Sequence, residues 1–215
     1  MPVLFANSGR WPSDIALWSV DVDLKKHAPA VSRFLSADEC NRMARYKRLG
    51  DQLRFAAARS SLREILGERV ARDPAELEFE AGAYGRPWLA GFPHVSFNVS
   101  HSGERVLIAV SMQRAVGVDI EELNPALDWR SLSDTVCVKE EASRIVSIRD
   151  FYRCWTAKEA LLKATGAGIG VGDGLKSIDL ANGRIPPGFN FVWLDDFDGY
   201  AAAMAFGVHA DTSAL

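Results

Sequence analysis

Asp119 and Glu121 stand two residues apart in the run AVGVDIE, Ala115 to Glu121. Strand side chains alternate faces with a period of two, so Gly117, Asp119 and Glu121 share one face while Val116, Val118 and Ile120 share the other. Two carboxylates side by side on an otherwise apolar strand repel each other and lose hydration unless a cation lies between them. Oxygen donors of this kind suit Mg²⁺, which takes one or two carboxylates, keeps several waters and binds substrate phosphates. A solvent-facing strand end running into Glu122 would show the same residues, so the strand alone leaves both readings open.

A second candidate lies in FYRCWTAKEALLKATG, Phe151 to Gly166, where Glu159 and Lys163 sit four residues apart on one helix face. Lys158 lies about 100° around the helix from Glu159. Glu-to-Lys at this spacing is also an everyday surface pair worth only a few tenths of a kcal/mol. Its setting favours chemistry: Trp155 lies one turn earlier, and the stretch runs into GAGIGVGDG, where backbone either approaches a ligand closely or makes a flexible exit. A third candidate is VSFNVSHSG, Val95 to Gly103. Val95, Phe97 and Val99 point one way and Ser96, Asn98 and Ser100 the other, before His101 emerges into an expected turn among donors able to hold phosphate. No GxSxG, HExxH or P-loop sequence occurs, which removes the commonest hydrolase, zinc-protease and nucleotide-triphosphatase readings, and GxGxxG is absent too.

The elements that must position these residues follow from periodicity. Strands are expected at Ala16 to Val22, Leu77 to Glu80, Val95 to Val99, Arg105 to Ser111 and Ala115 to Glu121. A long helix is expected from Ala37 to Leu66, with Ser36 as N-cap, Gly67 as stop and Gly50 as a possible interruption. Two helices follow, Asp134 to Ser147 and Asp150 to Thr165, the second closed by Gly166; strands return at Phe189 to Leu194 and Tyr200 to Phe206. Each half reads strand, helix, strands about a seam near Met112 to Arg114, which gives an α+β protein of two similar subdomains.

Composition bounds the rest. The 215 residues are 48% apolar and 25% charged, ordinary globular values. No apolar run is long enough to span a membrane and the first residues lack a signal-peptide pattern, so a soluble cytoplasmic protein is expected. Cys40, Cys137 and Cys154 lack metal-site spacing and read as buried free thiols. The net charge of −3 hides a cluster: Arg42, Arg45, Lys47, Arg48, Arg54, Arg59 and Arg63 against Asp51 alone. Such a stretch suits an anionic partner, including a nucleic acid or nucleotide, or is a solvated helix face.

Taken in order, GRP (Gly85 to Pro87), FNVSHSG (Phe97 to Gly103), VGVDIE (Val116 to Glu121) and WTAKEALLKATG (Trp155 to Gly166) resemble the surfactin-synthetase-type 4′-phosphopantetheinyl transferases. The resemblance implies two similar α/β subdomains forming an intramolecular pseudo-dimer, residues 1–112 and 113–215, with the active site between them. It implies a monomer that moves 4′-phosphopantetheine from coenzyme A to a serine of an apo carrier protein, with Mg²⁺ held by Asp119, Glu121 and Glu159. Lys158 and Lys163 resemble the lysines near the coenzyme A pyrophosphate, and Glu159 is the candidate base. Ser100 and His101 look like part of the coenzyme pocket, Arg42 and Arg54 match basic positions near the 3′-phosphate, and Gly85, Arg86 and Pro87 match the adenine-side turn. That turn is usually GKP, so Arg86 puts any contact made by the lysine ammonium in doubt. No nucleic-acid or membrane partner is implied.

Overall fold

In a computed structural model the described residues are 1–25, 32–82, 85–166 and 174–208. Two antiparallel sheets carry the frame. The first is built in the order β1 (Val3–Leu4), β2 (Ile15–Asp21), β6 (Arg105–Ser111) and β5 (Ser96–Ser102). The second is built from β7 (Val116–Glu122), β9 (Tyr200–Gly207) and β8 (Phe189–Trp193), with β9 in the middle. A hairpin of β3 (Phe79–Ala81) and β4 (Pro87–Leu89) stands apart.

Alternation along β2 and β6 sorts the apolar side chains into two cores. Trp18, Val20, Val106, Ile108 and Val110 pack against helix α2 (Leu49–Val70), whereas Leu17, Leu107 and Ala109 meet Val116, Val118 and Ile120 of β7. On the far side of the second sheet, Ala203 and Ala205 pack against Ala157, Ala160, Leu161 and Ala164 of helix α5 (Ile148–Thr165). Four layers result, helix, sheet, sheet and helix, each sheet covered on its outer face by one long helix. Burial of the apolar faces drives this order at roughly 25 cal/mol per Å² of apolar surface.

Glycine decides how close the last two layers come. A Cβ on Gly117 would collide with the Ala160 carbonyl oxygen and the Ala164 amide, so β7 touches the α5 backbone there. That approach brings the Asp119 and Glu121 face against the Glu159 and Lys163 face.

Several element boundaries differ from the sequence expectation, for local reasons. The first long helix is two, α1 (Ala37–Ala44) and α2, because the chain turns at Arg45 to Arg48; Gly50 lies within α2. Ser36 does cap α1, in a reciprocal capping box with Glu39. Gly67 is not a stop: the helix runs on to Val70 and ends at Ala71, while Gly67 admits Pro74 and the Arg72 carbonyl, which would lie 2.9 Å from a Cβ. The segment expected as one helix from Asp134 to Ser147 is α3 (Trp129–Val136) and the short α4 (Lys139–Ala142). The strand β5 continues to Ser102, so His101 belongs to a strand and not to a turn. No helix among the described residues is long and apolar enough to cross a membrane.

Candidate active site

Beside the packed faces, the edge strands β5 and β7 meet through side chains. Along β5 the inward-facing Ser96, Asn98, Ser100 and Ser102 each accept one amide of β7, from Val116 (3.1 Å), Val118 (2.9 Å), Ile120 (3.3 Å) and Glu122 (3.1 Å). Backbone donors of an edge strand, which otherwise need water or another strand, are thereby satisfied across the seam. Two rungs also address the carboxylates: Ser100 Oγ donates to Asp119 Oδ1 (2.8 Å) and Ser102 Oγ to Glu121 Oε2 (2.9 Å). These serines are therefore both the mortar of the fold and the holders of its acidic groups.

Helix α5 supplies the opposite wall. Ser147 and Asp150 cap its start and Gly166, at φ +71°, ends it in the left-handed conformation. Lys163 Nζ donates to Asp119 Oδ1 at 2.5 Å, and lies 3.3 Å from Ser100 Oγ and 3.4 Å from the Val118 carbonyl. Asp119 and Glu159 are both buried. Burial, followed by the charge of Asp119, pushes the Glu159 carboxyl above the usual range, and the same two causes raise Glu121. Like charge is therefore concentrated here beyond what Lys163 neutralises. One oxygen, Asp119 Oδ2, is buried with no hydrogen-bond partner among the described residues. A charged oxygen left in that state is costly and marks a place for a cation or donor from outside the chain.

The donor set fits a hard divalent cation such as Mg²⁺, which binds through one or two carboxylates and retains waters. The fit is not closed. Among the described residues, the group of three potential ligands lying within 4.8 Å of one another is Cys137, Glu141 and Cys154, on the far face of α5, so Asp119, Glu121 and Glu159 are spread more widely than that. A cation shared by all three requires at least one carboxylate to turn, with Asp119 Oδ2 the oxygen open to it.

On the other face of β5 lies a cavity of about 200 Å³, lined by Arg42, Tyr46, Phe55, Arg59, Pro87 and His101 among others. Because Ser100 and His101 are adjacent in a strand, the first faces the carboxylates and the second faces this basic cavity. Partial desolvation against the cavity wall holds the His101 imidazole below its usual pKa, with Arg54 and Lys163 adding to the effect, although the residue stays solvent-exposed. Arg42 lies over the Phe55 ring at 5.3 Å. Arg59 Nη1 is a buried donor with no partner among the described residues, although its Nε pairs with Glu39 at 3.2 Å. Sequence reasoning passed over Arg59 as one arginine in a run; its position about one turn after Phe55 and Ala56, on an apolar face, was the available signal.

Not every expected residue joins the site. Lys158 is a correction: it is fully buried, donating to Glu141 Oε2 at 2.6 Å and to the Val136 carbonyl at 2.9 Å, so it points away from the carboxylates and ties α5 to α3 and α4. Arg54 is engaged by Asp51 (2.6 Å) and the Gly103 carbonyl (3.0 Å) and does not line the cavity. Gly85 takes a left-handed φ of +77° in the turn before β4, and Pro87 reaches the cavity wall. The Arg86 guanidinium turns the other way, toward α5 and β7. Of the glycine-rich run after α5, residues 167–173 lie outside the described residues. One member of the basic stretch is internal, Arg63, buried against Glu39 and the carbonyls of Pro74 and Leu77, while Arg42, Arg45, Lys47 and Arg48 stay exposed.

Comparison with known proteins agrees with this layout. Residues 115–204 match the model of the 4′-phosphopantetheinyl transferase superfamily, and residues 23–113 match that of the 4′-phosphopantetheinyl transferase N-terminal region. The chain is 34% identical over 166 residues to 4′-phosphopantetheinyl transferase HetI of Nostoc sp., covering 73% of this chain and 70% of the relative. It is 28% identical over 166 residues to a 4′-phosphopantetheinyl transferase of Bacillus subtilis (71% and 74% covered), and 26% identical over 171 residues to 4′-phosphopantetheinyl transferase Sfp of the same species (71% and 74%). With two matched regions falling one on each sheet-and-helix unit, the chain belongs to the 4′-phosphopantetheinyl transferase family and is an enzyme of that type.

Proposed function

We propose that the enzyme transfers 4′-phosphopantetheine from coenzyme A to a serine of an apo carrier protein and releases adenosine 3′,5′-bisphosphate. The observation that carries this reading is the unpartnered buried oxygen of Asp119, set among Glu121, Glu159 and Lys163 and separated from a basic cavity by a single strand. A pyrophosphate between the two walls can meet cationic charge on both sides. Mg²⁺ held by Asp119, Glu121 and Glu159, with waters completing its shell, would neutralise that pyrophosphate.

In the proposed step the serine oxygen bonds to the phosphorus of the phosphopantetheine arm, the bond from that phosphorus to the bridging oxygen breaks, and the nucleoside bisphosphate leaves with the electron pair. Glu159, its pKa raised by burial, takes the serine proton directly or through a water. Lys163 supplies fixed positive charge to the phosphoryl oxygens. Arg42 and Arg59, with His101, face the 3′-phosphate, and the turn of Gly85 and Pro87 faces the adenine. Lys158 has no part in binding. All these groups come from one chain, which suits a monomer, and the three free thiols suit the reducing cytoplasm. Mass spectrometry of apo acyl, peptidyl and aryl carrier domains after incubation with coenzyme A and Mg²⁺ tests the reading. A phosphopantetheine adduct on the carrier serine is expected; carriers left unmodified across all three classes would overturn it.

A further inference from the structure

Arg86 is the place where the adenine-side turn reaches into the opposite half of the molecule. Its Nη1 donates to the carbonyls of Lys163 and Ala164, both at 2.9 Å, and its Nη2 donates to Ser96 Oγ (3.1 Å) and the Val116 carbonyl (3.2 Å). The two α5 carbonyls belong to the last turn, where the regular helical partners run out; that of Lys163 also accepts the capping Gly166 amide (3.3 Å), and a cation there complements the helix dipole. Val116 opens β7, and its amide already donates to Ser96 Oγ, so the guanidinium extends the side-chain ladder between the sheets by one rung. Nη1 lies 3.5 Å from where a Cβ on Gly166 would be, so the group rests on the helix end. At its own end, the Arg86 carbonyl accepts the Gly82 amide (3.0 Å) and Gly85 donates to the Gly82 carbonyl (2.9 Å).

We propose that Arg86 is a positioning residue: it fixes the end of α5 against the start of β7 and so sets where the Lys163 ammonium stands relative to Asp119. The inference rests on the functional reading above for its kinetic part only. The carbonyl of Lys163 is held by Arg86 while the ammonium of the same residue meets Asp119, so one guanidinium governs both the height of the lysine and the strand carrying its partner. A planar fork reaches four acceptors at once, whereas a lysine ammonium is a single point and holds fewer of them. The turn facing the adenine is thereby joined by one side chain to the residue facing the phosphates.

Arg86→Ala and Arg86→Lys, the second keeping a cation in case the first does not fold, are compared with wild type in two measurements. Single-turnover transfer at saturating Mg²⁺ and carrier should fall at least tenfold in both variants, while the Kd for coenzyme A stays within about threefold. Amide hydrogen exchange of the free protein should quicken at least tenfold at residues 163–166 and 116–118, with the middle of α5 unchanged. A raised coenzyme A Kd with an unchanged rate would make Arg86 a ligand contact and overturn the proposal. Faster exchange along the whole helix with an unchanged rate per folded molecule would reduce it to a stability residue and also overturn it, as would full rescue by lysine. Should the wild type modify no carrier, the functional reading fails, and the local exchange pattern still decides the clamp.

Discussion

Two lysines on one helix, five residues apart, make ion pairs of nearly the same length and of opposite kind. Lys158 Nζ lies 2.6 Å from Glu141 Oε2, and Lys163 Nζ lies 2.5 Å from Asp119 Oδ1. The first pair is complete: Glu141 also accepts the Val138 amide (2.9 Å) and the Leu180 amide (2.7 Å), and Lys158 has a second acceptor in Val136. The second is incomplete, because Asp119 Oδ2 has no partner among the described residues and Lys163 is about one-fifth exposed. A helix advances about 100° per residue, so five residues turn the second lysine roughly 140° away from the first. One pair closes a structural joint, and the other holds charge ready for a ligand.

The sharpest break in this comparison comes from removing each ammonium. Lys158→Met leaves a buried Glu141 charge unpaired, and breaking a buried pair in this way costs about 3 to 5 kcal/mol. Chemical denaturation should show that loss, while transfer per folded molecule is retained. Lys163→Met should instead damage turnover per folded molecule, with a smaller loss of stability than Lys158→Met because Lys163 is partly exposed.

Glu159→Gln comes next. If the carboxylate serves as base or metal ligand, single-turnover rates at saturating coenzyme A should fall by about 10² or more, since proton transfer contributes roughly 10² to 10⁴. A plain helix salt bridge would leave the rate alone and cost a few tenths of a kcal/mol.

How much of this was legible in the sequence differs between the two lysines. The face of Asp119 and Glu121, the strand Arg105 to Ser111 and the Gly166 stop could be read from local alternation and punctuation. The fate of Lys158 could not, because its partner Glu141 lies 17 residues away in a separate short helix, and nothing local distinguishes it from Lys163. The break at Arg45 to Arg48 carries no Pro or Gly, so periodicity alone ran through it. The ladder of Ser96, Asn98, Ser100 and Ser102 was half visible: the alternation placed the first three on one face, but that they would bond to another sheet's amides depends on long-range packing.

A smaller effect sharpens the role of the basic cavity. Replacing Arg42 and Arg59 together by alanine should weaken coenzyme A at least tenfold more than dephospho-coenzyme A, because a charge-assisted hydrogen bond is worth roughly 1.5 to 3 kcal/mol. Equal losses, measured by calorimetry, would place the 3′-phosphate elsewhere.

The smallest effect is in pH. Glu121 and Glu159 hold protons more tightly folded than unfolded, so the metal-free protein gains stability as pH falls through their folded pKa values toward the usual carboxylate range. His101 shifts the opposite way, desolvation lowering its pKa, but its exposed position keeps any loss of stability below the unfolded pKa of about 6.5 small. Asp119 and Lys163, which face both carboxylates, remain in every variant. Comparing Tm against pH with chelator present, for wild type and the Glu121→Gln, Glu159→Gln double variant, isolates the carboxylates: the wild type should gain relative to the variant on acidification, and parallel curves would deny the strain.

On the function proposed above, the acidic cluster around Asp119 is a cation-dependent site of phosphopantetheine transfer. Its most direct test follows carrier modification by mass spectrometry with wild type and Asp119→Ala, each with Mg²⁺ or with chelator. Transfer by wild type in Mg²⁺ alone, and none by the folded Asp119→Ala protein, is the expected result; modification at a near wild-type rate by Asp119→Ala under limiting Mg²⁺ would contradict it.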